Sequence, residues 1–339
     1  MGNNHMKEPV CRKRFTCRIC KEQGIYDAYT LKEMMHGSRA PFEYIHCSKC
    51  GCLQIGDIPA DLSPYYPSDY YSQKLHTEPK PHDGIKGLLI RWYCRSAVLR
   101  RDALIDRAIR NMLPVPTDFA EIGNYLMESR LGSAKDRILD VGCGASPRTL
   151  AAMRRSGFSM VEGIDPFNAK DSWYEDIPVY RRSIDQMEGE YGLVMFHHSL
   201  EHVPDPVSTL RSAAQLLRPG GTCLVRIPVM GTYFWHRFGV NWVELDAPRH
   251  LHLFSVESMH LLAEQAGFKV RKIVFDSEGW EIAASIRYEQ DIPLRSPQSL
   301  TDSFSLSDLM SFKQQADKLN TLNDAGRAGF YLERLPTPT

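Results

Sequence analysis

The sequence predicts an α/β fold with a parallel sheet, and three observations carry that reading. Apolar strand residues run into a glycine turn and a helix start at Arg137-Ile-Leu-Asp-Val-Gly-Cys-Gly-Ala-Ser-Pro147. Strand-like and helix-like segments then alternate to about residue 275, the pattern of βαβ units. Two cysteine pairs stand well ahead of this region and mark a separate, metal-held unit.

Ile138, Leu139 and Val141 supply the first core strand. Gly142 and Gly144 let the backbone turn tightly and approach a ligand. Ser146 reads as an N-cap and Pro147 as the first helical position. Asp140 is a carboxylate at the carboxyl end of that strand, where open α/β sheets bind ligands. A dinucleotide turn would carry a third small residue where this chain has Pro147, which disfavours pyrophosphate. The remaining alternative is a strand–turn–helix with no ligand.

Met160-Val-Glu-Gly-Ile-Asp165 reads as a second strand ending in an acid, the place of a ribose-binding carboxylate in nucleotide-binding folds. Val179–Asp185 reads as a third strand, and Gly192–Phe196 as a fourth that leads into His197-His-Ser-Leu-Glu-His202. A helix follows, with Val207, Leu210, Ala213, Ala214 and Leu217 at helical spacing, stopped by Leu217-Arg-Pro-Gly-Gly221. Thr222–Ile227 is the fifth strand. An aromatic insertion with Tyr233, Phe234, Trp235, Phe238 and Trp242 comes next and ends in Asp246-Ala-Pro-Arg-His-Leu-His-Leu-Phe254. His250–Phe254 alternates like a strand, Ser255 suits the cap of helix Val256–Ala266, and Lys269–Phe275 reads as the last strand.

Cys17-Arg-Ile-Cys20 and Cys47-Ser-Lys-Cys50 offer four thiolates, enough for a closed, structural zinc site. Gly51 suits the turn of the second pair; Cys52, Cys11 and His46 lie nearby. Such an ion holds together a segment too small to build its own core. With no signal-like leader, nine cysteines point to ligands and core positions rather than disulfides.

The chain divides into a tail at 1–16 (in part a cloning remnant before Met6), a zinc ribbon at 17–60, and a tyrosine-rich and helical connecting or lid segment at 61–135. An enzyme core at 136–277 and a helical segment at 278–339 follow. Tyr65-Tyr-Pro-Ser-Asp-Tyr-Tyr-Ser72 is either core packing or a ligand wall. Gly84–Arg110 reads as an amphipathic helix with a solvated basic face rather than a membrane binder. With 41 basic and 41 acidic side chains among 339 residues, broad capture of nucleic acid is disfavoured. No apolar run approaches the ~20 residues needed to span a bilayer, and a cytoplasmic location is expected.

The glycine turn, the acid that ends the second strand and the Leu-Arg-Pro-Gly-Gly before the fifth together resemble the class I S-adenosylmethionine-dependent methyltransferases. The resemblance implies a Rossmann-like seven-stranded core with an N-terminal zinc ribbon and helical accessory segments. It implies S-adenosylmethionine contacts from Asp140, Gly142, Cys143, Gly144, Asp165, Pro166, Asp185 and His197, with Asp165 on the ribose and Asp185 on the adenine amino group. The zinc ribbon, the Tyr-Tyr-Ser element and the Ala-Pro-Arg-His-Leu-His-Leu-Phe segment together resemble bacterial methyltransferases of glycan and nucleotide-sugar pathways. The leucine–glycine-rich segment of the sugar C-methyltransferases is absent between the cysteine pairs. The core is also similar to ubiquinone-biosynthesis O-methyltransferases, whose Glu-x-x-Glu-His element holds a divalent metal. Here His198 replaces the first acid, leaving Glu201 and His202, which weakens metal assistance.

Methyl transfer needs an aligned acceptor and a proton acceptor, and histidine suits the second task. His202 is the leading base and His198 its partner on the same face; His250, His252 and His236 are rivals. The expected reaction methylates a polar small molecule, first a hydroxyl of a sugar or nucleotide sugar. A phenolic, quinone or lipid intermediate is the alternative acceptor. The non-enzyme alternative is a zinc-ribbon interaction module on a methyltransferase scaffold. The sequence does not fix the oligomeric state.

Overall fold

A computed structural model describes residues 9–67, 84–99, 111–112 and 114–336. The expectations for Tyr70, Tyr71 and Ser72, and for the helix beyond residue 99, lie outside the described residues.

The N-terminal unit is a small antiparallel sheet of β1 (Cys11–Thr16), β2 (Gln23–Lys32), β3 (Pro41–His46) and β4 (Leu53–Ile55). It starts earlier than Cys17, because Cys11–Thr16 pairs along β2 from Ala28 to Gln23. The two Cys-x-x-Cys turns close the β1–β2 and β3–β4 connections. In each, the residue after the second cysteine has a left-handed backbone, Lys21 at φ 62° and Gly51 at φ 71°.

Helices α1 (Gly84–Val98) and α2 (Thr117–Glu128) lead into the core. There the chain runs β5 (Ile138–Val141), α3 (Arg148–Arg155), β6 (Val161–Ile164), β7 (Ser172–Tyr174), β8 (Ile177–Tyr180), β9 (Tyr191–His197), α4 (Pro206–Leu216) and β10 (Leu217–Met230). It continues through α5 (Tyr233–Phe238), β11 (His252–Ser255), α6 (Val256–Gln265), β12 (Phe268–Phe275), α7 (Gly279–Glu289), α8 (Leu300–Ser303), α9 (Leu306–Leu322) and β13 (Arg327–Arg334).

The core sheet has the order β12-β13-β10-β9-β5-β6-β8-β7. β10, β9, β5, β6 and β8 are parallel, while β13 runs antiparallel between β10 and β12. Helices α1, α2 and α3 pack on one face around Leu126, Leu150, Met153 and Phe158. α4 and α6 cover the other with Leu210, Ala213, Met259 and Leu262. β11 joins the two sheets: it is parallel to the end of β10 (Val229↔Phe254) and antiparallel to β4 (Leu53↔Leu253).

Several elements differ from the sequence reading. The third strand ends at Tyr180, and Asp185 sits in a 3-10 turn at 184–186, exposed. Helix α3 begins at Arg148 with Pro147 at the cap position, so Ser146 does not cap it. β11 begins at His252, two residues later than the alternation suggested, because Glu244–His250 is drawn into tight turns by Asp246. Ser255 does cap α6, accepting from Ser258 N. The 278–339 segment is not helical throughout: it returns as β13, inside the sheet.

Candidate functional site

β5 is the strand at which the sheet order reverses, with β6 on one side and β9 on the other; open α/β sheets bind ligands at such a point. The glycine turn follows β5 directly. Gly142 (φ 76°) and Gly144 (φ 67°) both need the left-handed region. A Cβ on Gly142 would come within 2.6 Å of the Ser199 Cβ, so the turn is packed against the loop after β9. Ser199 Oγ donates to Val141 O at 2.6 Å and locks that contact.

Asp165, at the end of β6, accepts from Gly144 N at 3.0 Å and from Phe167 N at 2.8 Å. Asn168 Nδ2 donates to Gly144 O at 3.2 Å. The acid expected to meet a ribose therefore also braces the glycine turn. Asp140 is 4% exposed, and its Oδ1 has no hydrogen-bond partner among the described residues. Burial, with the Asp165 charge nearby, pushes its carboxyl up to about 8. An orphaned carboxylate oxygen beside two backbone-exposing glycines is a fit for a ligand that brings a cation or a hydrogen-bond donor. Cys143 lies in the same turn with its sulfur against Gly163. Pro166 and Asp185 are on the same edge of the sheet but exposed.

The second half of the site grows from the end of β9. His197 packs against Tyr125 with ring centroids 4.9 Å apart, and burial holds its imidazole down at about 3. His198 has a left-handed backbone (φ 50°), which turns its ring away from that of His197. Its Nε2 faces Arg226 Nη1 at 3.0 Å. A guanidinium only donates, so the ring hydrogen of neutral His198 is on Nδ1, 3.4 Å from Glu201 Oε1.

Glu201 is fully buried, and neither carboxylate oxygen has a hydrogen-bond partner among the described residues. Burial raises its carboxyl well above the ordinary range. His250 Nε2 lies 3.8 Å from Glu201 Oε1, and its Nδ1 donates to Glu244 O at 2.8 Å. His202 Nδ1 lies 2.8 Å from Arg249 O and 3.2 Å from Tyr66 Oη. The rings of His202 and His250 meet edge to face at 4.7 Å. Burial lowers the His202 imidazole, opposed by Asp246.

Of the predicted catalytic pair, the structure puts His202 beside His250 and sends His198 toward Arg226. Of the rivals, His250 joins this cluster. His252 is buried in β11, with neither ring nitrogen hydrogen-bonded among the described residues. Sequence reasoning did not single out Glu201, Arg249 or Tyr66 in these roles. The available signal was Arg249-His250 in one short motif, with a buried cation next to an imidazole.

Arg249 is 0% exposed and held by Asp246 and by Glu33 Oε1 at 3.0 Å. Tyr44 Oη donates to His250 O at 2.7 Å. Glu33 and Tyr44 belong to the N-terminal unit, which thus braces the histidine cluster directly. The aromatic insertion does not offer its indoles to a ligand: Phe234, Trp235, Phe238 and Trp242 are all buried.

The Sγ atoms of Cys17, Cys20, Cys47 and Cys50 all lie within 4.8 Å of one another. Cys17 and Cys50 are 3.6 Å apart, Cys20 and Cys47 3.7 Å. A zinc–sulfur bond of about 2.3 Å gives a tetrahedral edge of about 3.8 Å, so the four residues fit zinc. Gln54 Nε2 donates to the Cys17 sulfur at 3.1 Å, a bond of the kind that orients a ligand. Cys52 is buried outside the four, Cys11 is exposed on β1, and neither belongs to the group. No helix among the described residues is long and apolar enough to cross a membrane.

The methyltransferase domain family matches residues 104–273, half of the chain. The ubiquinone biosynthesis O-methyltransferase of Pseudomonas aeruginosa is 27% identical over 168 residues, 44% of this chain and 71% of that protein. Its Acinetobacter baumannii counterpart is 32% identical over 110 residues, 29% of this chain and 46% of that protein. A SAM-dependent methyltransferase from Archaeoglobus fulgidus aligns at TM-score 0.40 and 18% identity, covering 63% of this chain and 91% of that one. One from Mesorhizobium loti aligns at 0.39 and 16%, covering 69% and 99%. The glycine turn between two carboxylates lies at the reversal point where open α/β sheets bind ligands, and the chain belongs to the methyltransferase domain family as an S-adenosylmethionine-dependent methyltransferase.

Proposed function

We propose that the protein methylates a hydroxyl of a small-molecule acceptor, with Asp140, Gly142, Cys143, Gly144, Asp165, Pro166, Asp185 and His197 around S-adenosylmethionine and the His202 cluster on the acceptor side. The carrying observation is the juxtaposition: the orphaned Asp140 and the glycine turn are locked through Ser199 to the loop that carries His198, Glu201 and His202. The sulfonium of the cofactor is the electrophile. The chain's part is to align the acceptor, exclude water and hold the departing proton. His202 is the group placed to take that proton, and His198 orients Glu201 beside it.

A phenol or quinol hydroxyl is the first acceptor class. An imidazole lowered by burial is a weak base, and a phenol with a pKa of about 10 yields its proton far more readily than a sugar hydroxyl. The names of the two O-methyltransferase relatives point the same way. A sugar or nucleotide-sugar hydroxyl is the second class, supported by the resemblance of the four-cysteine unit. The buried indoles of the insertion remove the stacking argument for it. The test is a calorimetric titration with S-adenosylmethionine, then methyl transfer to paired panels of catechols and nucleotide sugars. One-site cofactor binding with transfer to a catechol supports the reading; well-folded, zinc-loaded protein that binds no cofactor refutes it.

A further inference from the structure

We infer that Arg226 selects the acceptor: its guanidinium receives a carboxylate carried by the substrate, which is therefore a phenolic acid rather than a neutral phenol or a diphosphate-linked sugar. The inference deepens the reading of a phenol acceptor beside the His202 loop and rests on it.

Arg226 stands on β10 in register with His197 of β9. Register partners share a face of a sheet, and so do residues two apart along one strand. Asp140 pairs with Met195, two residues before His197, so Asp140, His197 and Arg226 line one face. Tyr125 of α2 lies over that face, its ring centroid 4.9 Å from that of His197 and 5.7 Å from Arg226 Cζ. Donors are left over here. Arg226 commits Nε to Asp276 Oδ2 and Nη1 to His198 Nε2, while Nη2 has no partner among the described residues. The side chain is 12% exposed and Nη2 is not sealed, so a ligand can reach it. Tyr125 Oη is likewise unsealed and without a partner among the described residues, and His197 Nε2 is buried without one. A guanidinium only donates, and a phenol can donate, so the group that completes this face is an acceptor of hydrogen bonds.

Charge decides which acceptor. Asp276 divides its two oxygens between Arg226 and Arg327. Arg327 has further carboxylates in Glu281 at 3.0 Å and Glu278 at 3.3 Å. The other described partner of Arg226 is the neutral His198 ring. Arg226 is thus the less compensated cation of the two, and its planar fork suits a carboxylate. One open edge of one guanidinium, with Asp276 beside it, matches a single negative charge; a diphosphate would bring more charge than this edge can meet. The cofactor has a carboxylate of its own, but Arg226 is turned away from the glycine turn. β9 lies between β10 and β5, and Asp276, just past β12, anchors the guanidinium on the side of β10 remote from β5. His198 draws Nη1 to the loop that carries His202.

The test is methyl transfer by the full, zinc-loaded chain to protocatechuate and to its neutral isostere, protocatechuamide. We expect kcat/KM at least tenfold higher for the acid, the discrimination that a charge-assisted hydrogen bond supplies. In Arg226→Met the acid-to-amide ratio should fall to about one, mainly through KM for the acid. Arg226→Lys keeps a charge for Asp276 but loses the fork, and should retain part of the preference. Zinc content and melting temperature verify the fold of each variant; if Arg226→Met does not fold, Arg226→Lys and the wild-type ratio carry the test. A wild-type ratio near one, or a ratio unchanged in the variants, overturns the inference. So does an S-adenosylmethionine affinity lowered about tenfold in Arg226→Met with the ratio intact, which would give the guanidinium to the cofactor. Transfer to neither catechol by protein that binds S-adenosylmethionine is the separate failure of the phenol reading, and the inference falls with it.

Discussion

Asp140 and Asp165 end neighbouring strands, yet their environments differ. Asp165 is satisfied by two backbone amides, whereas Asp140 is buried with an oxygen left over. The Asp140 carboxyl is raised from 3.8 to about 8, so the folded protein holds a proton there that the unfolded chain releases. Stability from this source is complete below about pH 4 and is lost as pH rises through about 8. Thermal melts of the cofactor-free protein should therefore decline over that window, and Asp140→Asn should flatten the decline. A melt profile identical in the two proteins would contradict it. Asp165→Ala removes both amide contacts and should weaken S-adenosylmethionine at least tenfold in a calorimetric titration. His202→Ala should leave that affinity intact and cut turnover at least tenfold, because it lies on the other side of Ser199. Both aspartates were legible in the sequence, since each ends an apolar strand. Glu201 was not: nothing in His-Ser-Leu-Glu-His says that the acid is sealed beneath two imidazoles brought from residues 198 and 250.

At the scale of elements, the turn after β5 and the turn before β11 do the positioning. Gly142→Ala would place a Cβ 2.6 Å from Ser199 in a backbone region that costs an L-residue about 1–2 kcal/mol before the clash. The expected result is a lower melting temperature and weakened cofactor binding together, measured by calorimetry. The second turn depends on Arg249, buried between Asp246 and Glu33. Glu33→Ala removes one carboxylate from a buried guanidinium that also bonds Asp246 and Tyr65 O, and should destabilise the protein by on the order of 3 kcal/mol in denaturant unfolding; an unchanged midpoint would mean that the remaining partners suffice. The strands of the core were readable because apolar runs of four to seven residues end at glycines and acids. The late start of β11 was not, since His250 alternates as a strand residue should. Its backbone is captured instead by Asp246 and Tyr44, partners 4 and 206 residues away in sequence.

For the whole molecule, the four-cysteine unit is part of the same hydrogen-bonded system as the enzyme core. β4 pairs with β11, Ser255 Oγ donates to Cys50 O at 2.6 Å, and Gln265 Nε2 donates to Ile19 O at 2.9 Å. Zinc in that unit should therefore stabilise the histidine cluster as well as the ribbon. Chelation should lower the melting temperature of the entire chain in one transition; two separate transitions would show the units to be independent. The cysteine spacing announced the ribbon, but the brace from Glu33 and Tyr44 to Arg249 and His250 joins residues about 200 positions apart, which no local pattern records. The return of the chain as β13 escaped for a related reason: Arg327–Arg334 is buried almost throughout and lacks the alternation that marks a half-exposed strand.

The place of β13 bears on how the protein is made. β10 and β12 do not touch edge to edge; β13 fills the gap between them. During synthesis the ribosome delivers β10 and β12 more than 50 residues before Arg334, so both wait with open backbone edges. The sheet closes only when the late strand slides between two neighbours already in place, a non-local step that is intrinsically slow and leaves nascent chains prone to pair with one another. Expression that outpaces this step should yield aggregates rich in intermolecular strands, and slower synthesis at low temperature should favour the native protein.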